Sequence, residues 1–337
     1  GSYSVSKPGT TATVTLTGMT LSDAQMSALI DGLSYHNTSD DPCASDRVVT
    51  VRQLTDSNSV NNVATLSTAS TVSIAAVNDA PTLTATGGTP TFTENGPAVS
   101  LFSGASASAV EASQNLDQIT LTVANLADAS AEILGVDGSD VALTHGNSVT
   151  TVSNALTVSV SVAGSTATVT IGKTGGITAS AANTLIDGLT YRNTSDAPHT
   201  TNRIVTLTSI HDTGGTANGG VDTSSLSLAS TVIVNAVNDA PTLTGGPYAL
   251  TGMDENTASS STLVSTILTG LAHADADAGA SSGIAITAAS GNGAWHYSTD
   301  GVAWNSVGAV TGSAALLLAS TSQLRYFPDG QNGETPV

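Results

Sequence analysis

Ala76-Val77-Asn78-Asp79-Ala80-Pro81-Thr82-Leu83-Thr84 recurs unchanged from Ala236 to Thr244, and proline to proline the interval is 160 residues (241 − 81 = 160). A chain that repeats itself at such an interval stacks one unit many times, which makes length and reach rather than a catalytic pocket. The match runs well beyond that peptide. Leu29-Ile30-Asp31-Gly32-Leu33-Ser34-Tyr35 returns as Leu185-Ile186-Asp187-Gly188-Leu189-Thr190-Tyr191, and Arg47-Val48-Val49-Thr50 as Arg203-Ile204-Val205-Thr206, both 156 residues on (185 − 29 = 203 − 47 = 156). Extra residues between Asp212 and Leu226, absent between Asp56 and Leu66, restore the longer interval and mark a surface loop.

The copies divide the chain into residues 1–79, the C-terminal part of one unit, residues 80–239, a complete unit, and residues 240–337, the N-terminal part of another. In the third copy Leu324-Arg325-Tyr326 stands where Leu189-Thr190-Tyr191 stands in the second, and the copy ends at Val337 without counterparts of Arg203–Ser209 and Leu226–Val234. The expectation is a polypeptide that continues on both sides, or outer units completed by neighbouring subunits.

Local pattern sets the fold class as all-β. Thr157-Val158-Ser159-Val160-Ser161-Val162 alternates strictly, Ala163-Gly164 turns the chain, and Ala167-Thr168-Val169-Thr170-Ile171 alternates again, a hairpin with one apolar and one hydroxyl face. Further strands read at 12–16, 48–54, 70–75, 119–123, 204–209 and 230–234. The exception is one short helix per unit, where Ser22 and Gln25 form a capping box and Leu21, Met26, Leu29, Ile30 and Leu33 recur at helical spacing, with 180–189 as the matching segment. Many short strands with turn signals in each unit predict tandem antiparallel β-sandwich modules of Ig-like or cadherin-like type.

Composition narrows the function. Aromatic residues are 3% and charged residues 10% of the chain at a mean hydropathy of +0.15, which suits thin cores of small residues rather than disorder. The charge is lopsided, 26 acidic against 7 basic residues for a net −19, which argues against nucleic acid or anionic membrane and for a cation as partner. No apolar run reaches the roughly 18 residues of a membrane span. The lone Cys43, between Pro42 and Ala44, permits neither an intrachain disulfide nor a thiolate metal cluster. Six scattered histidines lack ligand spacing, and no nucleophile elbow, phosphate loop or dinucleotide fingerprint is present. Glu94 and Glu111 make a poor glycosidase pair without an aromatic-lined cleft, so no enzyme is expected.

Hard oxygen ligands gather instead around the repeated peptide. Asn78 and Asp79 are followed by Glu94, and in the second unit by Glu111, Asn115 and Asp117; Asn238 and Asp239 are followed by Glu255 and then by Asp275-Ala276-Asp277. Carboxylate and amide oxygens beside a hinge are what a Ca²⁺ clamp between units requires. Asp212, Asp222 and Asp56 are the nearby acids that the preceding stretches offer. In the third copy Trp295, Tyr297 and Trp304 flank a turn; their alternation suits cross-strand packing, with stacking of Trp295 and Trp304 on a carbohydrate as the other reading.

Asn-Asp-x-x-Pro at a junction, an acidic residue on the first strand and an Asp-x-Asp loop resemble the calcium-linker pattern of cadherin repeats. The Ala-Val-Asn-Asp-Ala-Pro linker is more closely similar to that of the cadherin-like, Ig-like repeats of giant bacterial surface proteins of the RTX-adhesin type, and Gly293–Pro328 resembles a variant found in such arrays. The resemblance implies an exported, calcium-stiffened stalk or matrix protein on the bacterial cell surface, whose partners are its own neighbouring modules and ligands of the cell surface or matrix. A self-assembling filament whose outer units are completed between neighbours is the alternative. An Asp-Arg-Glu loop, which a cadherin would contribute, is absent.

Overall fold

The structure, a computed structural model, describes residues 1–277 and 279–330. Val337, and with it the end of the third copy, lies outside them. The protein is mostly β, with several sheets and three α-helices among the described residues.

The second copy holds the largest sheet, seven strands in the order Ser148–Thr150, Thr157–Ala163, Thr166–Ile177, Leu116–Ala124, Arg203–Asp212, Thr223–Asn235 and Thr91–Thr93. A second sheet runs Ser139–Ala142, Glu132–Val136, Thr190–Asn193, Val99–Ser100, and Thr82–Gly87 pairs separately with Phe102–Ser108. Alternation in sequence becomes alternation in space: Val158 and Val160 point inward while Thr157, Ser159 and Ser161 face solvent, and Gly164 closes the expected hairpin at φ +59°. One continuous core results, built from Leu121, Val169 and Val205 of the large sheet, Leu134 and Tyr191 of the second, Leu83 of the ribbon, and Leu185 and Ile186 of a helix. The third copy has a smaller core of its own around Val264, Leu268, Val307, Leu318 and Leu324.

The first two helices occupy matching places. Asp23–Asp31 carries the predicted capping box, with Ser22 and Gln25 each accepting from the other's backbone N–H, and Ala179–Asp187 has the N-cap half of it, the Thr178 hydroxyl accepting the Ala181 N–H. The second helix also covers a sheet edge: Asn183 and Asp187 accept the N–H groups of Ala107 and Ala105 at 2.8 and 2.9 Å. In the third copy the helix moves. Before Leu324 stands the strand Leu316–Ala319, whose leucines pair with Gly283–Ile286, and the helix comes earlier, at Val264–Gly270. A run of three leucines between turns has no hydrophilic face to set a helical stripe, and as a strand it turns Leu318 into the core while Leu317 faces outward.

Two sheets are tied together by charge. Arg203, fully buried, donates Nε to Glu132 Oε2 at 2.8 Å and Nη2 to Glu132 Oε1 at 3.1 Å and to Asp128 Oδ2 at 2.9 Å. Its Nη1 is used on the carbonyls of His199 and Thr201. Glu132, also fully buried, is completed by the Tyr191 hydroxyl at 2.9 Å and by the N–H groups of Ala127 and Asp128. Burial and the Glu132 charge push the Tyr191 hydroxyl well above its ordinary value, which keeps it a donor. Asp128 in turn accepts from Asn193 at 2.6 Å and from His199. Every member is satisfied, so the desolvation cost of these charges is offset by geometry.

Two outcomes follow from this network. Glu132→Gln leaves the Arg203 charge buried with half its compensation and is expected to cost about 3–5 kcal/mol in denaturant unfolding. Burial works to raise the carboxyl of Asp128, but bonds from His199 and Asn193 and the charge of Arg203 hold it below the usual carboxylate range. A depressed folded value gives stability that is present above the unfolded value near 3.9 and lost as pH falls through the folded one. Asp128→Asn is therefore expected to flatten the loss of stability below about pH 4. An acid limb equal to that of the parent protein would show that Asp128 does not supply it.

Candidate metal centre at the unit junctions

Each repeated linker is held by the copy that follows it, through the same bond. The Asp79 N–H donates to Glu111 Oε1 at 2.8 Å, and the Asp239 N–H donates to Asp277 Oδ2 at 2.7 Å. Glu111 thus does in the second copy what Asp277 does in the third, although the two lie at different distances along the chain. Asp275 supports Asp277 by accepting its N–H at 3.0 Å.

The first junction is the more enclosed. Asn78 reaches into the loop after Asp212: its Nδ2 donates to Val221 O at 2.7 Å and Asp212 Oδ1 at 3.1 Å, and its own carbonyl accepts the Val221 N–H at 2.9 Å. The loop can come this close because it carries Gly214, where a Cβ would fall 1.8 Å from Asn78 Oδ1. The inserted residues of the second copy are therefore the half of a clasp as well as a surface loop. The first copy touches the second directly too, where Asp41 Oδ2 accepts the Ala112 N–H at 3.2 Å.

Buried side-chain oxygens without a donor are confined to these places among the described residues. They are Asn78 Oδ1, Glu111 Oε2, Gln114 Oε1 and Asp212 Oδ2 at the first junction, and Glu94 Oε1 and Asp239 Oδ2 at the second. Burial, opposed by bonds from Gly214 and Asn78 and reinforced by the nearby charge of Glu111, raises the carboxyl of Asp212 above its ordinary range. Among the described residues no group of three or more His, Cys, Asp or Glu side chains forms a ready metal cage. Amide oxygens of Asn78 and Gln114 accompany the carboxylates instead.

Other expected residues lie elsewhere. Glu94, grouped by sequence with Asn78 and Asp79, sits at the opposite end of the second copy, where its Oε2 accepts the Val237 N–H at 2.8 Å. Thr91–Thr93 pairs parallel with Ile233–Asn235, the one parallel pairing among the described strands, and so travels in step with the chain entering the next linker. Glu94 therefore sits beside Val237 at the second linker, whereas Glu111 sits beside Asp79 at the first. Glu255 is exposed and accepts from Asn256 Nδ2 at 3.3 Å. Asp117 is engaged by His211, which also meets Asp222 at 3.3 Å. Asn238 uses its side chain on the Asp239 carbonyl at 2.8 Å.

Trp295 and Trp304 are not brought together. Trp295 stacks edge-on with Tyr326 at 5.1 Å and packs on the smaller core, while Trp304 lies 3.9 Å beneath the guanidinium of Arg325. Arg325 and Tyr326 are successive strand residues and face opposite ways, so the two indoles lie on opposite sides of one sheet. Cys43 is exposed and bonds Ser45 Oγ at 3.2 Å. No family model, curated protein or solved structure matches this chain.

Gly214→Ala forces the loop off Asn78 and is expected to cost about 1–3 kcal/mol locally, the range for stranding a buried polar partner. Amide exchange at Val221 and Asp79 should then accelerate while that of Leu121 and Val205 in the core does not. Unchanged exchange at Val221 would show that the clasp does not hold the linker.

Proposed function

We propose that this chain is a run of cadherin-like, Ig-like β-sandwich modules in a non-enzymatic extracellular spacer of the bacterial cell surface or its matrix, and that Ca²⁺ at the junctions stiffens it. The observation that carries the calcium reading is the set of donorless buried oxygens at both linkers. A buried oxygen without a partner costs about 1–3 kcal/mol, and a hard cation with six to eight oxygen ligands removes that cost for several at once. Asn78, Asp79, Glu111, Gln114 and Asp212 would serve at one junction, and Glu94, Asp239, Asp275 and Asp277 at the other. The ligands at the second come from both sides of the linker, so an ion there would couple the copies mechanically. A net charge of −19 adds to the attraction and keeps neighbouring chains apart.

The test is calcium titration of the intact chain, followed by calorimetry and by thermal unfolding with and without chelator. Binding to the native state alone should add RT ln(1 + [L]/Kd), about 2.7 kcal/mol at a hundredfold excess over Kd. Glu111→Gln should abolish one class of sites and Asp277→Asn the other. Absence of saturable binding, or full binding by the double variant, would remove calcium from the proposal.

A further inference from the structure

We infer that the second copy is a tension-bearing unit, in which residues 81–94 and the strand Thr223–Asn235 form a shear clamp that resists a pull applied through the two linkers. The first segment of the copy runs parallel to its last strand from one linker to the other. At the start the Ser224 hydroxyl donates to Pro81 O, and at the end the Val237 N–H donates to Glu94 Oε2 at 2.8 Å. Between them Thr231 and Ile233 donate their N–H groups to the carbonyls of Gly88 and Pro90 at 3.0 and 2.9 Å, and the Glu94 N–H donates to Asn235 O at 2.9 Å. A Cβ on Gly87 would fall 1.8 Å from Ala229 O, so the two backbones also lie against each other midway. Partners are 143 residues apart at both ends (224 − 81 = 237 − 94 = 143), so the segments keep in step throughout.

Direction decides how these bonds meet a force. A pull from the preceding unit enters the copy at Pro81, where the first segment starts, and a pull from the following unit enters at Val237, just past the end of the last strand. In a parallel pair those two points lie at opposite ends. Opposed pulls then slide one segment along the other and load every rung at once. An antiparallel pair would receive both pulls at one end and open rung by rung.

Neither segment leaves the copy easily. Thr82–Gly87 is also bonded to Phe102–Ser108, and Thr223–Asn235 to Arg203–Asp212, the strand that carries the buried Arg203. The parallel pairing joins residues 142 apart (233 − 91 = 142), so no local turn accounts for it. The clamp rests on the spacer reading only in that a spacer is where such tension arises. It belongs to the folded copy and does not depend on calcium at the linkers.

The experiment stretches the intact chain by single-molecule force spectroscopy in the presence of chelator, in two geometries. Handles on the two chain termini load the clamp in shear. Handles on the N-terminus and on residue 217, through Ala217→Cys with Cys43→Ser, load it from one end, because Ala217 is exposed in the loop that closes on Asn78. Under terminal load, release of the second copy frees the 147 residues from Gly88 to Asn235 (235 − 88 = 147). That lengthens the chain by roughly 500 Å, which identifies the event. The force there should exceed the force that opens the copy from residue 217 by roughly twofold or more at one pulling rate, since forced unfolding follows the barrier on the loaded path. Ile233→Pro, which deletes the N–H given to Pro90, should lower the force under terminal load and leave the force from residue 217 unchanged, because peeling breaks the Pro81 end first. Equal forces in the two geometries overturn the inference. An equal loss in both with Ile233→Pro shows general weakening of the copy and removes that rung from the clamp. Calcium titration of the same chain reads the junctions separately, so either result stands without the other.

Discussion

A guanidinium with no exposure to water must have its charge answered inside the protein, and the second copy is organised around that requirement. Arg203 on the large sheet meets Glu132 on the other, so neither sheet can slide without stranding an ion. The core is otherwise made of leucine, valine and isoleucine with a few alanines and aromatics, apolar contacts that carry no direction of their own. Nothing in that packing alone would hold Thr190–Asn193 in register with Glu132–Val136 as firmly as Tyr191, Asn193 and Arg203 do by converging on two carboxylates. The ion pair contributes specificity more than stability, since an apolar substitute of equal volume could match its net energy.

The junctions obey a related rule. In each, a linker aspartate presents its backbone N–H to a carboxylate of the following copy, and at the first the Asn78 side chain also spans the seam. Glu111 and Asp277 differ in side-chain length and in distance along the chain from their linkers, yet both accept that one N–H. The loop conformations have adjusted so that a carboxylate arrives at the same bond. A linker tied in this way is held to a fixed path, and the polar oxygens beside it are ordered in advance. Such pre-ordering would lower the entropic cost of the cation binding proposed above.

What could be read in the sequence was whatever depends on neighbours along the chain. The hairpin around Gly164 and the Ser22 cap are local devices, and they stand within a residue or two of where the pattern placed them. Asp79 and Glu111 were recognisable as junction groups because turn and loop residues stay near the linker. Glu94 was misplaced because an extended strand moves the chain by about 3.3 Å per residue, so closeness in sequence became the length of a copy in space. Asp212, Gln114 and Gly214 were missed as a set, although the glycine-rich insertion after Asp212 was the available signal. The buried network also escaped notice. Its trace was the paired recurrence of Tyr35 with Tyr191 and Arg47 with Arg203, which marks two donors but is silent about the acids they meet.

The contrast between copies separates what a β-strand needs from what a core needs. Arg47–Thr55 keeps its extended form and its antiparallel partner although its apolar side chains face water, so ladder hydrogen bonds and β-branched residues are enough to define the element. The same residues become interior only where Leu116–Ala124 and the acid pair supply a second layer. Secondary structure in this repeat is thus local, and burial is a property of the joined halves.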